Sequence, residues 1–252
     1  MQEQWPINGY YNPSTMEGLY EVIANRVSCR SFQNTPFENE WNCLEHSAKS
    51  LALPGTRFVL GTCDNNLFQP FGGLLVKFEN VAHYAAIITT DDRPESVINS
   101  GICGEMLMLS AVLNGVGGCW VAGTYKHSQV SITLEKSERI RALFALGVPL
   151  NLLKSPIVRK RKPIEKITSD DFTNAPPIFH QAALAVLAAP SAMNMQPWRL
   201  TFEPENTLSL TVRRPQQRLD LGIALCHAML AIGNTPAQYE LSADALSVRL
   251  VL

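Results

Sequence analysis

Apolar residues recur along the chain with two different periods. Helical spacing predicts helices over residues 15–27, 38–53, 101–114, 135–143, 179–189 and 220–232. Short runs rich in β-branched and aromatic residues predict strands over residues 57–62, 84–90, 119–121, 200–202, 208–212 and 247–252. Glycine and proline residues separate these segments, so the pattern predicts a globular protein that mixes helices and strands.

The helix predicted over residues 101–114 is apolar on almost every side. Such a helix is expected to be buried all round or to lie in a large interface. The apolar stretch 102–121 that contains it is interrupted by Glu105, Asn114 and four glycines. We therefore predict a core helix and no membrane-spanning segment.

Two segment layouts occur twice. A helix, a proline-containing turn and a strand follow one another over residues 37–61 and again over residues 176–202. An apolar helix between glycines occurs over residues 101–118 and again over residues 220–234. The sequence identity between the copies is weak, and similar layouts arise by chance in mixed proteins, so the pattern alone leaves duplication and coincidence open. A basic and proline-rich stretch before residue 178 is the best candidate for a linker.

Composition limits the classes of partner. Lys and Arg together number 21 and Asp and Glu number 22, which gives a formal charge of −1, so nucleic-acid binding is not expected. The six cysteines are scattered without CxxC pairs, which argues against a zinc site and favours reduced thiols in the cytoplasm. The first residues lack the basic region and apolar run of a signal peptide, so we expect a cytoplasmic protein.

Residues 26–30 (RVSCR) combine two arginines with a serine. In an extended segment alternate residues share a face, so Arg26, Ser28 and Arg30 would converge on one ligand. Guanidinium groups and a hydroxyl match phosphate oxygens. The alternative is a solvated helix end with surface arginines, and spacing alone favours that alternative.

Two further segments carry candidate chemistry. Residues 159–162 (RKRK) form a basic cluster that is either a solvated arm or a second contributor to a phosphate site. Residues 189–198 (APSAMNMQPW) place a hydroxyl, a carboxamide and backbone amides on a turn, which suits a planar polar ring edge. The alternative for this second segment is a plain turn with Trp198 in the core.

Taken together, these segments resemble the nitroreductase family of flavoproteins. The matching pieces are residues 26–32 (RVSCRSF), 115–123 (GVGGCWVAG), 145–149 (ALGVP), 159–163 (RKRKP) and 190–198 (PSAMNMQPW). Because the last segment follows the first by about 160 residues in this chain, the resemblance is closest to the branch called putative TM nitroreductases, in which one chain carries two nitroreductase-like halves.

This resemblance implies the fold and the domain organisation. It implies an α+β sandwich in which a central, mainly antiparallel sheet is flanked by helices, arranged as a pseudo-dimer within one chain. The first half would cover residues 1–150, a basic linker residues 151–177, and the second half residues 178–252. The chain would be a monomer with the option of further dimerisation.

The resemblance also implies a cofactor and the residues that hold it. FMN would bind with NADH or NADPH as electron donor, and no metal or side-chain nucleophile would be needed. The implied FMN contacts are Arg26, Ser28, Arg30, Lys77, Ala122, Gly123, Arg159, Arg161, Pro190, Ser191, Ala192 and Asn194.

The implied activity is reduction of nitroaromatics, quinones or similar small acceptors by ping-pong hydride transfer through flavin N5. Two alternatives remain open: a flavin-binding protein without significant turnover, and another reductive chemistry on the same fold, such as dehalogenation or flavin fragmentation. The first half reads ALPGTR at residues 52–57, where the family carries PSxxN. This site is degenerate, so we expect one flavin per chain.

Overall fold

The computed structural model describes residues 3–4, 13–35, 38–69, 77–151, 160–233, 235 and 238–252. Within them, the α-helices are α1 (Pro13–Val22), α2 (Glu38–Ser50), α3 (Pro94–Leu113), α4 (Pro177–Ala188) and α5 (Arg218–Ile232). The strands are β1 (Glu3–Gln4), β2 (Thr56–Thr62), β3 (His83–Thr89), β4 (Gly117–Val121), β5 (Arg139–Gly147), β6 (Arg199–Glu203), β7 (Thr207–Thr211), β8 (Gln238–Leu241) and β9 (Ser247–Val251).

These strands form two antiparallel sheets. The first sheet has the order β2-β3-β5-β4, and the second has the order β1-β8-β9-β7-β6. Every pair of named strands is antiparallel, which confirms the predicted α+β class. The strands are divided between two sheets and do not form one central sheet. Glu3 pairs with Tyr239, so the N-terminal strand belongs to the sheet built from the C-terminal part of the chain.

Helices α3 and α5 make the most extensive helix contact in the fold. They cross at Gly101 and Gly222, where a Cβ on Gly101 would lie 2.3 Å from the Leu219 carbonyl oxygen. Most residues of both helices are buried, which explains why apolar residues occur on every side of each helix. Among the described residues, α3 is the one helix long and apolar enough to cross a membrane, and 72% of its most apolar 18-residue window is buried inside the protein.

The sequence prediction fails over residues 135–143, which do not form a helix. The chain instead enters β5 at Arg139 and pairs with β3 on one side and β4 on the other. A central strand is buried on both faces, so its apolar residues run continuously and lose the alternation of a half-buried strand. Arg, Ala and Leu in this run also favour helices, which made the segment ambiguous.

The other predicted helices and strands are found within a few residues of their predicted ends, apart from two shifts. The first helix ends at Val22 instead of residue 27, and the apolar helix begins at Pro94, well before residue 101. Strands β1 and β8 were not predicted, because β1 has two polar described residues and β8 is only four residues long. The predicted halves 1–150 and 178–252 remain a prediction.

Candidate functional site

A cavity of about 550 Å³ lies where segments from both ends of the chain meet. Its lining residues are drawn from 26–30, 120–124, Arg161, 190–194 and 219–223. The lining combines apolar side chains such as Trp120 with hydroxyl, carboxamide and guanidinium groups. Ligand pockets in proteins measure roughly 300–1,000 Å³ and combine an apolar lining with a few convergent polar groups, which this cavity matches.

Residues 26–30 reach the cavity as an extended segment beside β4. Ser28 forms a parallel bridge with Gly118, and the Cys29 N–H donates to the Gly118 carbonyl oxygen at 3.0 Å. Alternate side chains point the same way, so Arg26, Ser28 and Arg30 all line the cavity. Cys29 points the other way against Gly117, where a Cβ would lie 2.9 Å from the Cys29 Cβ.

Arg26 is a buried arginine whose charge is only partly balanced. Its side chain is 2% exposed, and its Nε and Nη1 atoms have no hydrogen-bond partner. Nε lies 3.5 Å from Oε1 of Glu105, which is an ion-pair distance but not a hydrogen bond. Buried guanidinium donors without partners are costly, so this group needs an anionic partner in the cavity. The alternative of a solvated surface arginine does not apply to Arg26, whereas Ser28 and Arg30 are exposed.

The loop after α4 forms the opposite wall in an unusual backbone conformation. Met193, Asn194 and Gln196 have φ values of 48°, 57° and 46°, in the left-handed region that non-glycine residues rarely adopt. The Gln196 N–H donates to Ser191 Oγ at 2.8 Å, and the Ala192 N–H donates to Asp220 Oδ1 at 3.0 Å. These bonds hold a strained loop in one shape, as is common at ligand-binding sites.

The basic arm at residues 160–162 is fastened to this loop. Arg161 Nη1 donates to the side-chain oxygen of Asn194, and Arg161 Nη2 donates to the Ala188 carbonyl oxygen at 2.8 Å. The Lys162 ammonium donates to the Gln196 carbonyl oxygen at 2.9 Å. Arg161 lines the cavity, so the arm is part of its wall.

Two opposing effects of charge and burial act in this cavity. Burial and the nearby Arg26 charge lower the pKa of Arg161, and Glu105 partly opposes them. Burial raises the pKa of the Asp220 carboxyl group, and the Ala192 N–H partly offsets that rise. Among the described residues, Arg26, Arg30 and Arg161 line the cavity together with the Asp220 carboxyl group, and Glu105 lies behind Arg26, so positive charge exceeds negative charge and favours an anionic ligand.

Of the other residues predicted to bind FMN, some line the cavity and others do not. Ala122, Gly123, Pro190, Ser191, Ala192 and Asn194 all line the cavity. Lys77 does not: its ammonium lies 2.5 Å from Glu79 Oε1, and the residue is not part of the cavity wall. Arg159 lies outside the described residues.

Sequence reasoning missed several residues at this site. Asp220 fixes the 190–194 loop, Trp120 forms part of the apolar lining, and Glu105 and His227 lie directly behind Arg26. The available signal was a lone glutamate in an otherwise apolar helix. A buried charge of that kind requires partners, but the sequence does not say which residues supply them.

A second, more open cavity of about 390 Å³ borders the turn that carries ALPGTR. Its lining includes Lys49, Ala52 and Arg57. The Arg57 guanidinium donates two hydrogen bonds to the Glu138 carboxylate, at 2.6 and 2.7 Å. A single flavin per chain remains a prediction.

The described residues offer little other reaction chemistry. In the part of the chain that the structure describes, no group of three or more His, Cys, Asp or Glu residues could hold a metal ion. Burial raises the pKa of the Cys119 thiol beside the cavity, which disfavours a nucleophilic thiolate. The geometry therefore suits binding of a large anionic ligand that brings its own chemistry.

Comparison with known proteins gives a family match. The family model described as "Putative TM nitroreductase" matches residues 18–232. Among curated proteins, no sequence matches the chain.

Solved structures provide the fold comparison. A Thermotoga maritima structure described as a putative nitroreductase has a TM-score of 0.67 and 22% identity, and the match covers 93% of both chains. An NADPH:FMN oxidoreductase from Vibrio harveyi complexed with NAD+ has a TM-score of 0.46 and 20% identity over 60% of this chain and 75% of its own. An FMN-dependent nitroreductase from Clostridium difficile has a TM-score of 0.42 and 15% identity over 62% and 96%.

Proposed function

The chain belongs to the putative TM nitroreductase family, and from this membership and the cavity we propose that it is an FMN-dependent oxidoreductase. In this proposal NADH or NADPH donates the electrons, and a nitroaromatic, a quinone or a similar small molecule accepts them. The cavity is built by one chain alone, so we propose one site per monomer.

The Arg26 guanidinium, whose charge Glu105 balances only in part, carries this proposal. A buried cation with two unsatisfied nitrogens lines a cavity large enough for a cofactor. Arg30 and Ser28 supply further donors on the same face. A phosphate monoester provides the charge and the acceptor oxygens that these donors lack.

The two walls suit different parts of FMN. Arg26, Ser28 and Arg30 would hold the phosphate or the polar edge of the ring from one side. The 190–194 loop would lie against the ring from the other side, with Ala122 and Gly123 near its reactive edge. A Cβ on Gly123 would meet no atom within 4 Å, so the backbone there leaves room for a ligand.

When bound, FMN supplies the two-electron chemistry that protein side chains lack. The chain's own residues bind, orient and tune the cofactor. Positive charge from Arg26 and Arg161 stabilises negative charge in the cavity, and the effect is strengthened because Arg26 is buried and Arg161 is half-buried. Trp120 and Ile223 give the cavity lining an apolar surface, which would limit the access of water to the bound cofactor.

Anaerobic titration tests the proposed activity. Protein loaded with FMN should lose its visible flavin absorbance on addition of NADH or NADPH and regain it on addition of a nitroaromatic or a quinone. A loaded protein that neither nicotinamide bleaches would contradict the proposed turnover and favour a flavin-binding role. A protein that is bleached but not reoxidised by either acceptor class would overturn the proposed acceptors.

A further inference from the structure

A fully buried charged pair lies behind Arg26, between helices α3 and α5. Glu105 on α3 and His227 on α5 are both 0% exposed, and His227 Nε2 lies 2.9 Å from Glu105 Oε1. The other ring nitrogen, Nδ1, lies 2.8 Å from the Ala185 carbonyl oxygen. The Trp120 indole N–H donates to Glu105 Oε2 at 2.8 Å.

These distances constrain the protons on His227. A neutral imidazole carries one N–H and one lone pair, but here both nitrogens face oxygen atoms at hydrogen-bond distance. A neutral ring beside an ionised Glu105 would place a lone pair against a lone pair in one of the two contacts. The Trp120 donor and the nearby Arg26 charge favour an ionised Glu105. Both short contacts are satisfied when His227 carries two protons.

We propose that His227 is an imidazolium that neutralises Glu105, so that the Arg26 guanidinium keeps its positive charge for a phosphate group bound in the cavity. Glu105 Oε1 is closer to His227 Nε2 than to Arg26 Nε, at 2.9 Å against 3.5 Å. Its other oxygen is taken by Trp120. With His227 charged, the three groups carry a net charge of +1; without the His227 proton, Glu105 would cancel Arg26.

The other charged and titratable groups around the pair do not cancel this net charge of +1. Arg161 faces Glu105 and Arg26 from the arm and adds positive charge. Burial raises the pKa of the Cys226 thiol on α5 and raises that of Cys103 on α3 to about 11, so both thiols stay neutral. Asp220 is engaged by the Ala192 N–H, and from α4 the contact to His227 is the uncharged Ala185 carbonyl.

This inference rests on the proposed function in one respect, namely that the anion is the phosphate of FMN. Binding of FMN and of riboflavin, which lacks the phosphate, therefore forms the two arms of the test. His227 is a positioning residue because it acts through Glu105 and Arg26 and does not line the cavity.

Three variants separate charge from packing. His227→Gln should weaken FMN binding about tenfold or more at neutral pH, because Glu105 then cancels Arg26. The double variant Glu105→Gln with His227→Gln should restore FMN affinity to within about threefold of the unmodified protein, because Arg26 is again unopposed. The matched control is His180→Gln on α4, whose ring makes an edge-to-face contact with Phe172, does not line the cavity, and whose loss should leave affinity unchanged. Riboflavin affinity should change little in all three.

Comparison of the single and double variants gives a readout that a packing role alone would not produce. Rescue of FMN affinity by the double variant is that readout, because it has fewer native contacts than His227→Gln but leaves Arg26 unopposed. A double variant that binds FMN no better than His227→Gln would overturn the proposal.

Nitrogen NMR of the protein without flavin tests the His227 charge independently of FMN binding. Both ring nitrogens of His227, assigned by comparison with His227→Gln, should be protonated at neutral pH. An unprotonated ring nitrogen would overturn the proposal whatever the FMN affinities of the variants. If the unmodified protein fails to bind FMN, the proposed function falls; if it binds FMN and His227→Gln binds it equally well, only the present inference falls.

Discussion

Arg161 donates from Nη1 to the side-chain oxygen of Asn194, and the Asn194 amide nitrogen donates in turn to the Lys160 carbonyl oxygen at 2.8 Å. One carboxamide therefore binds the arm at two adjacent residues, and it belongs to a loop whose backbone is itself strained. The arm and the loop thus act as one unit at the edge of the cavity, although 33 positions separate the two side chains in sequence.

Asn194→Ala tests this unit. Removing both hydrogen bonds should free Arg161 from the cavity wall and weaken FMN binding about tenfold, measured by quenching of flavin fluorescence. Asn114→Ala is the matched control, because its amide donates only to the Ser110 carbonyl oxygen at the end of α3. Equal FMN affinity of the two variants would show that the arm does not contribute to the site.

Arg26→Met tests the buried cation. Methionine keeps much of the apolar stem but removes the charge, so FMN affinity should fall about 10- to 100-fold. The loss should be much smaller for riboflavin if the phosphate is the partner. Arg93→Met, at an exposed position paired with Asp91, should leave affinity unchanged. An Arg26→Met protein with normal FMN affinity would contradict the assignment of Arg26.

Gly101→Ala tests the crossing of α3 and α5. The added Cβ would lie 2.3 Å from a backbone oxygen of α5 and 2.9 Å from the Ile223 nitrogen, so the helices must separate. The free energy of unfolding should fall by about 1–3 kcal/mol or more, measured by urea denaturation. Gly18→Ala in α1, where the new Cβ would make an ordinary 3.6 Å contact, should not destabilise the protein. A stable Gly101→Ala protein would contradict the close approach.

Glu138→Gln tests an electrostatic contribution to acid stability. Two hydrogen bonds from Arg57 and one from the Glu135 N–H lower the pKa of Glu138 from 4.5 to about 2. Because the pKa is lower in the folded protein, this contribution is present above pH 4.5 and is lost as the pH falls toward about 2. The variant should have a lower free energy of unfolding than the unmodified protein at neutral pH. Between about pH 4.5 and 2, its free energy of unfolding should fall less than that of the unmodified protein.

Urea unfolding at several pH values measures this difference. Glu17→Gln, at an exposed position on α1, is the control and should retain the pH dependence of the unmodified protein. A Glu138→Gln protein with the same acid profile as the unmodified one would contradict the role of the Arg57–Glu138 pair.

The family resemblance carried by residues 26–32 and 190–198 predicted much of the cavity lining, whereas the spacing of Arg26, Ser28 and Arg30 alone favoured a solvated helix end. Alternation in an extended segment brings Arg26, Ser28 and Arg30 to one wall, and the turn chemistry of residues 190–194 supplies the other. Both predictions depend on short-range geometry, which neighbouring residues largely determine. Long-range contacts could not be predicted in this way. The residues next to Glu105 give no sign that it contacts His227, which lies 122 positions further along the chain.

Tertiary burial explains the main failure in the fold. Residues 139–147 combine helix-forming residue types with a continuous apolar run, and only their place between β3 and β4 makes them a strand. Lys77 was assigned through a loose family resemblance; in the structure it pairs with Glu79 and is not among the residues that line the cavity. Residue type alone does not indicate which of several lysines reaches a site.

Flavin stoichiometry tests the central claim most directly. The purified full-length protein, saturated with FMN and freed of excess ligand, is denatured, and the released flavin is identified and counted per chain. We expect one FMN per chain. A protein that retains no FMN would contradict the proposed site, and two FMN per chain would contradict a single site bounded by Arg26 and the 190–194 loop.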